Sequence, residues 1–204
     1  MSRTRIAVLV SGGGTNLQAI LDACGRGECP HAEIALVLAN SKKAYALERA
    51  ANAGVAAAVV TKRQAGSQEA FEAAIHETLV AHGIEMIVLA GFMSILTKDF
   101  TDKWTDRMIN IHPSLLPAFG GEGCYGLHVH EMALARGVKL TGATVHFVNE
   151  IPDGGRIIAQ KAVAVEPGDT PEILQRRVME QAEWIIFPQA VEQVAAEIAE
   201  KKEK

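Results

Sequence analysis

Short apolar runs alternate along the chain with stretches in which apolar residues recur three or four positions apart. The runs read as buried strands and the stretches as amphipathic helices. Ile6-Ala7-Val8-Leu9-Val10 predicts a strand over about residues 5–10, and a helix over 15–25 carries Leu17, Ile20 and Leu21 on one side. Residues 34–39 predict a second strand, followed by a helix near 44–53 that stops at Gly54. Ala57-Ala58-Val59-Val60 predicts a third, and a longer helix near 67–82 ends at His82-Gly83. Met86-Ile87-Val88-Leu89-Ala90 predicts the fourth strand, residues 94–103 a helical segment, and 107–112 the fifth strand.

The second half changes character. Residues 113–126 are a loop rich in Pro and Gly, and a helix near 127–136 leads into a strand over 140–148. Residues 156–165 read as its hairpin partner, and a terminal helix runs over about 171–199. Strands alternating with helices predict βαβ units and a parallel sheet. The expected class is α/β: a Rossmann-like, mostly parallel twisted sheet flanked by helices, with a C-terminal antiparallel hairpin. No linker, repeat or low-complexity segment divides the chain, so one domain over residues 1–204 is expected.

Composition leaves that picture intact and removes some functions. A chain of 204 residues with 49% hydrophobic and 22% charged residues can bury a core without staples. A net charge of −4 gives no global basic field for a nucleic-acid partner. Cys24, Cys29 and Cys124 are odd in number and lack a CxxC spacing, which suits reduced thiols better than a disulfide framework or zinc ribbon. The first apolar run is too short to span a membrane and ends in glycines. It reads as a strand, with no membrane partner and a cytoplasmic location expected.

Two segments carry candidate chemistry. Ser11-Gly12-Gly13-Gly14-Thr15-Asn16 joins the first strand to the first helix. Backbone N–H groups at a helix start attract anions, and Thr15 or Asn16 is placed to cap the helix. Leu17 stands where a dinucleotide fingerprint needs its third glycine, and no Lys follows for a Walker loop. A single phosphate monoester is the better ligand, and a tight turn with no ligand is the plain alternative. In the second segment, Asn110 and His112 lie two apart at the end of the fifth strand, on one face. An amide donor and an imidazole converging there suit a carbonyl oxygen that becomes an oxyanion. Asp153, in the turn Pro152-Asp153-Gly154-Gly155, would raise the His112 pKa if it lay alongside. His31, His76 and His82 read as surface or loop residues and His146 as a core histidine. His128 and His130 share no helix face, so no metal site is expected.

Val10 to Gln18, Leu89-Ala90-Gly91-Phe92-Met93, Asn110-Ile111-His112-Pro113-Ser114-Leu115-Leu116-Pro117, Gly142 to Val148, Asp153-Gly154-Gly155 and Ile157-Ile158-Ala159-Gln160 together resemble the folate-dependent formyltransferases. The resemblance covers nearly the whole chain. It implies transfer of a formyl group from 10-formyltetrahydrofolate, as co-substrate, to the amine of glycinamide ribonucleotide in de novo purine synthesis, with no metal. It implies Asn110, His112 and Asp153 as catalytic residues, and Gly14, Thr15, Asn16, Gly91, Pro113 and Glu183 on the nucleotide. Gln68, Met93, Ser94, Ile95, Leu96, Asn149, Glu150, Ile151 and Pro152, with Asn110 and Asp153, would contact the folate. Ser94 and Gln68 stand where relatives carry Arg, which puts the folate-tail contacts in question. The competing readings are a formyltetrahydrofolate deformylase, with water as acceptor, and a non-catalytic nucleotide-binding module. A monomer and a homodimer are equally compatible with the sequence.

Overall fold

The computed structural model describes residues 2–202. Its centre is a seven-stranded sheet made of β1 (Thr4–Val10), β2 (Ala32–Ala39), β3 (Ala56–Val59), β4 (Met86–Leu89), β5 (Met108–His112), β6 (Leu140–Phe147) and β7 (Ile157–Ala164). The order is β3-β2-β1-β4-β5-β6-β7. The first five strands run parallel; β6 pairs antiparallel with β5, and β7 antiparallel with β6.

The helices are α1 (Thr15–Gly25), α2 (Ala46–Asn52), α3 (Lys62–Ala65), α4 (Gln68–Ala81), α5 (Lys98–Thr101), α6 (Leu127–Arg136), α7 (Pro171–Val178) and α8 (Trp184–Lys202). They cover both faces of the sheet, and the period of two along each strand decides which face a residue serves. Ile6, Val8, Val10, Met86, Val88, Ile109 and Ile111 pack with α1, α6, α7 and α8 through Leu17, Ala133, Val178 and Phe187. Ala7, Leu9, Ile87, Leu89 and Met108 face the other way, onto Phe71, Ile75 and Leu79 of α4 and Phe100 and Trp104. Each large side chain buried in this way contributes about 1.5–3 kcal/mol.

Three elements depart from the sequence pattern. Residues 94–97 are not helical; helix begins only at Lys98 and passes into a 3-10 turn at Asp102–Trp104. The short α3 was unmarked by any periodic pattern; Thr61 caps it by accepting from the Gln64 N–H. The terminal helix is broken by a π turn over Met179–Glu183, between α7 and α8. Pro188, inside α8, lacks the N–H that would close onto Trp184.

Candidate active site

Strand order reverses between β1 and β4, since β2 and β3 lie to one side and β5 onward to the other. In an open α/β sheet the crevice outside the carboxyl ends at such a reversal is where ligands bind. A cavity of about 900 Å³ opens there. The glycine loop after β1 forms one wall, Gly91 to Leu96 after β4 a second, and Asn149 to Asp153 a third. Asn110 and His112, at the end of β5, lie between them. The two turns are tied directly, by Ser11 N–H to the Gly91 carbonyl (3.1 Å) and Met93 N–H to Ser11 Oγ (2.8 Å).

The glycine loop is shaped by α2. The Gly12 carbonyl accepts from Ala46 N–H (3.1 Å) and the Gly13 carbonyl from Arg49 Nε (2.8 Å). A trans peptide points its N–H opposite to its C=O. The N–H groups of Gly13 and Gly14 are therefore turned away from α2. Gly14 has φ +70°, and a Cβ there would lie 2.7 Å from Ala46 Cβ, so only glycine fits this turn. Contrary to expectation, neither Thr15 nor Asn16 caps α1; Gly14 holds the cap position without a side-chain bond. The Asn16 amide instead donates to Glu183 Oε2 at 2.6 Å. The π turn aims Glu183 inward, and burial raises its carboxyl pKa against the pull of Asn16.

Asn110, His112 and Asp153 do come together. His112 is 4% exposed. Its Nε2 lies 2.8 Å from the Phe119 carbonyl, which can only accept, so Nε2 carries a proton. Its Nδ1 faces Asp153 Oδ2 at 3.4 Å, a charge contact too long for a good hydrogen bond. Asp153 has φ +56° and accepts from Gly121 N–H at 2.9 Å, while its Oδ1 lies 3.4 Å from His146 Nε2. The Asn110 amide is 3.2 Å from the same His146 nitrogen, and His146 Nδ1 donates to the Phe147 carbonyl at 2.8 Å. His146 is thus the buried histidine expected, yet it also links Asn110 to Asp153.

The electrostatics correct one expectation. Burial pushes the His112 imidazole below its ordinary pKa; Asp153 and the Phe119 carbonyl pull it upward without prevailing, and His146 adds a small downward push. Burial also works against the Asp153 carboxylate. The neighbouring His146, His112 and Gly121 N–H outweigh it and hold Asp153 below the usual carboxylate value. The pair therefore rests as an ionised acid beside an imidazole reluctant to charge.

The remaining candidates divide clearly. Gly14, Thr15, Asn16, Gly91, Pro113, Met93, Ser94, Ile95, Leu96, Asn149, Glu150, Ile151, Pro152 and Glu183 all line the cavity. Gln68 is not part of the lining; its amide donates to Glu72 and to the Ile95 carbonyl behind the wall. Among the described residues no cluster of His, Cys, Asp and Glu has the makings of a metal site, and no helix is long and apolar enough to cross a membrane. Several participants escaped the sequence reading. The Phe119 carbonyl and Gly121 N–H are main-chain groups with no one-dimensional signal. His130 lines the cavity with neither ring nitrogen bonded. Thr144 and His146 were traceable in principle, because they share a strand face and pair with His112 and Asn110.

A hydrogen-bonding cluster and a glycine loop meeting at the switch point define a class, an α/β cleft equipped to hold a carbonyl oxygen beside an anion. The model of the formyl transferase family matches residues 4–191. A phosphoribosylglycinamide formyltransferase of Haemophilus influenzae is 43% identical over 184 residues, covering 90% of this chain and 84% of that protein. The crystal structure of glycinamide ribonucleotide transformylase 1 from Symbiobacterium toebii has a TM-score of 0.89 at 44% identity, covering 96% of this chain and 89% of that one. The trifunctional purine biosynthetic protein adenosine-3 of Gallus gallus is 43% identical over 195 residues, 96% of this chain but only 19% of its own length. This chain thus spans about a fifth of that relative. The chain belongs to the formyl transferase family.

Proposed function

We propose that the chain transfers the formyl group of 10-formyltetrahydrofolate to the primary amine of glycinamide ribonucleotide, as one formyltransferase domain. The observation that carries this reading is the approach of Asp153 to His112 at 3.4 Å, in a cavity shared by a glycine loop and an apolar wall. The relatives named for this reaction support it. Gly13 and Gly14 N–H groups, with Thr15 and Asn16, receive the nucleotide phosphate. Gly91, Pro113 and Glu183 border the ribonucleotide, and Met93 to Leu96 with Asn149 to Asp153 enclose the pterin.

The amine attacks the formyl carbon, and negative charge grows on the formyl oxygen. Asn110 donates to that oxygen from its amide. His112 keeps Nε2–H on Phe119 and offers Nδ1 to the cavity. Its low resting pKa is raised as the oxyanion forms, so Nδ1 takes up the proton that the attacking amine loses and shares it with the oxyanion. Asp153, held ionised, stabilises the imidazolium so formed, and the same proton passes through water to the departing folate nitrogen. Atoms and charge balance: one N–C bond forms, one breaks, and one proton moves from amine to folate.

Purified protein with 10-formyltetrahydrofolate tests this. Release of tetrahydrofolate that requires glycinamide ribonucleotide supports the transferase. Release without it identifies a deformylase, and no turnover identifies a binding module. The substitution His112→Ala is expected to lower kcat about 10²–10³-fold, the usual loss for an oxyanion-side donor. Wild-type turnover in that variant would refute the mechanism.

A further inference from the structure

The cavity wall from Gly91 to Leu96 contains neither helix nor strand, yet a buried carboxylate fixes it from behind. Glu72, on α4, is 6% exposed. Its oxygens accept from the Thr97 N–H (2.7 Å), the Thr97 hydroxyl (2.5 Å) and the Gln68 amide (2.7 Å). The same Gln68 amide donates to the Ile95 carbonyl at 3.1 Å. Among the described residues Glu72 forms no ion pair. Dipoles alone hold this charge, and two of the three belong to the end of the wall. Moving that end outward would strand a buried carboxylate, which is strongly disfavoured.

The other end of the wall is pinned independently. Met93 N–H donates to Ser11 Oγ at 2.8 Å, and the Asn40 amide to Ser94 Oγ at 3.0 Å. Between these points Met93 and Ile95 line the cavity while leaving more than half of their surface exposed. Apolar side chains held open on a cavity wall suit a flat ring system.

We propose that Glu72 is a positioning residue for the formyl donor: through Thr97 and Gln68 it holds the Met93–Leu96 wall in the shape that receives the pterin ring, without touching the ring. This rests on the donor site described under Proposed function. Gln68 then serves the folate indirectly, as the strut between Glu72 and Ile95.

The substitution Glu72→Gln turns one acceptor into a donor facing other donors. It is expected to raise KM for 10-formyltetrahydrofolate roughly tenfold, with kcat within about twofold and KM for the nucleotide unchanged, the signature of lost binding that is equal in ground and transition states. Thr97→Val removes only the hydroxyl and is expected to shift the same constant in the same direction by about threefold. It covers the case in which Glu72→Gln folds poorly. Calorimetric titration with 10-formyl-5,8-dideazafolate measures donor binding without turnover. Weakened binding in both variants supports the role. A wild type that binds this folate no better than the variants overturns the role of Glu72 alone. A wild type that binds none overturns the donor site and the role together. Equal increases in both KM values would show a general structural loss and would also overturn it.

Discussion

Thr144 offers the sharpest test of how the catalytic strand end is held. It lies in β6, paired with His112 on one side and Gln160 on the other, and is fully buried. Its hydroxyl donates to the Ser114 carbonyl at 2.7 Å and accepts from Leu116 N–H at 3.0 Å and the Gln160 amide at 2.9 Å. The first two partners are buried main-chain groups just past His112, and Gln160 is exposed enough to exchange its bond for water. Thr144→Val keeps the shape and removes the hydroxyl. Two buried groups left unpaired at about 1–3 kcal/mol each give a destabilisation of about 2–6 kcal/mol. In a domain of this size each kcal/mol moves Tm by about 2–4 °C, so Tm should fall by about 4–24 °C. Thr144→Ser, which keeps the hydroxyl, should lose well under half of that. Thermal melts and urea titrations followed by circular dichroism measure both variants. The segment released also carries Phe119, whose carbonyl orients His112, so kcat should fall severalfold in the Val variant alone. If Thr144→Val melts within about 2 °C of wild type, the hydroxyl does not anchor the loop.

Two further outcomes concern protons. Asp153→Asn removes the carboxylate that pulls the His112 pKa upward; the imidazole should titrate at lower pH than in wild type, read by NMR of the labelled ring, and an unchanged titration would exclude the pairing. His130 is fully buried, and burial, with a smaller push from the neighbouring His112, brings its pKa down to about 4 from 6.5. The unfolded chain therefore binds this proton first. Stability is fully present above pH 6.5 and declines as pH falls toward about 4, losing about 3 kcal/mol from this group. His130→Leu should flatten that part of the urea-stability curve relative to wild type, and parallel curves would contradict the assignment.

The strands and most helices were legible because their signal is local. Ile6 to Val10 or Met86 to Leu89 can bury both faces only inside a covered parallel sheet. The pairing of Asn110 with His112 was legible for the same reason, since a period of two fixes their common side. Where the sequence misled, a distant partner had taken over. Leu96 and Phe100 stand at helical spacing, yet Thr97 and Ile95 are committed to Glu72 and Gln68, more than twenty residues away along the chain. Asn16 has the chemistry of a cap, but the helix begins one residue before it, and its amide N–H donates instead to Glu183, brought round by the π turn.

The same reasoning explains why Asp153 does not leave His112 with a raised pKa. A carboxylate at 3.4 Å raises an imidazole pKa on balance only where its attraction exceeds the cost of burying the charge. Here the ring is buried with its Nε2 on the Phe119 carbonyl, and desolvation outweighs Asp153. That balance suits the proposed chemistry better than a permanently charged histidine would. A permanent imidazolium would be neutralised by Asp153 before any substrate charge appeared. An imidazole reluctant to charge at rest, beside an acid held ionised, has one proton position to fill and gains most by filling it when the oxyanion forms.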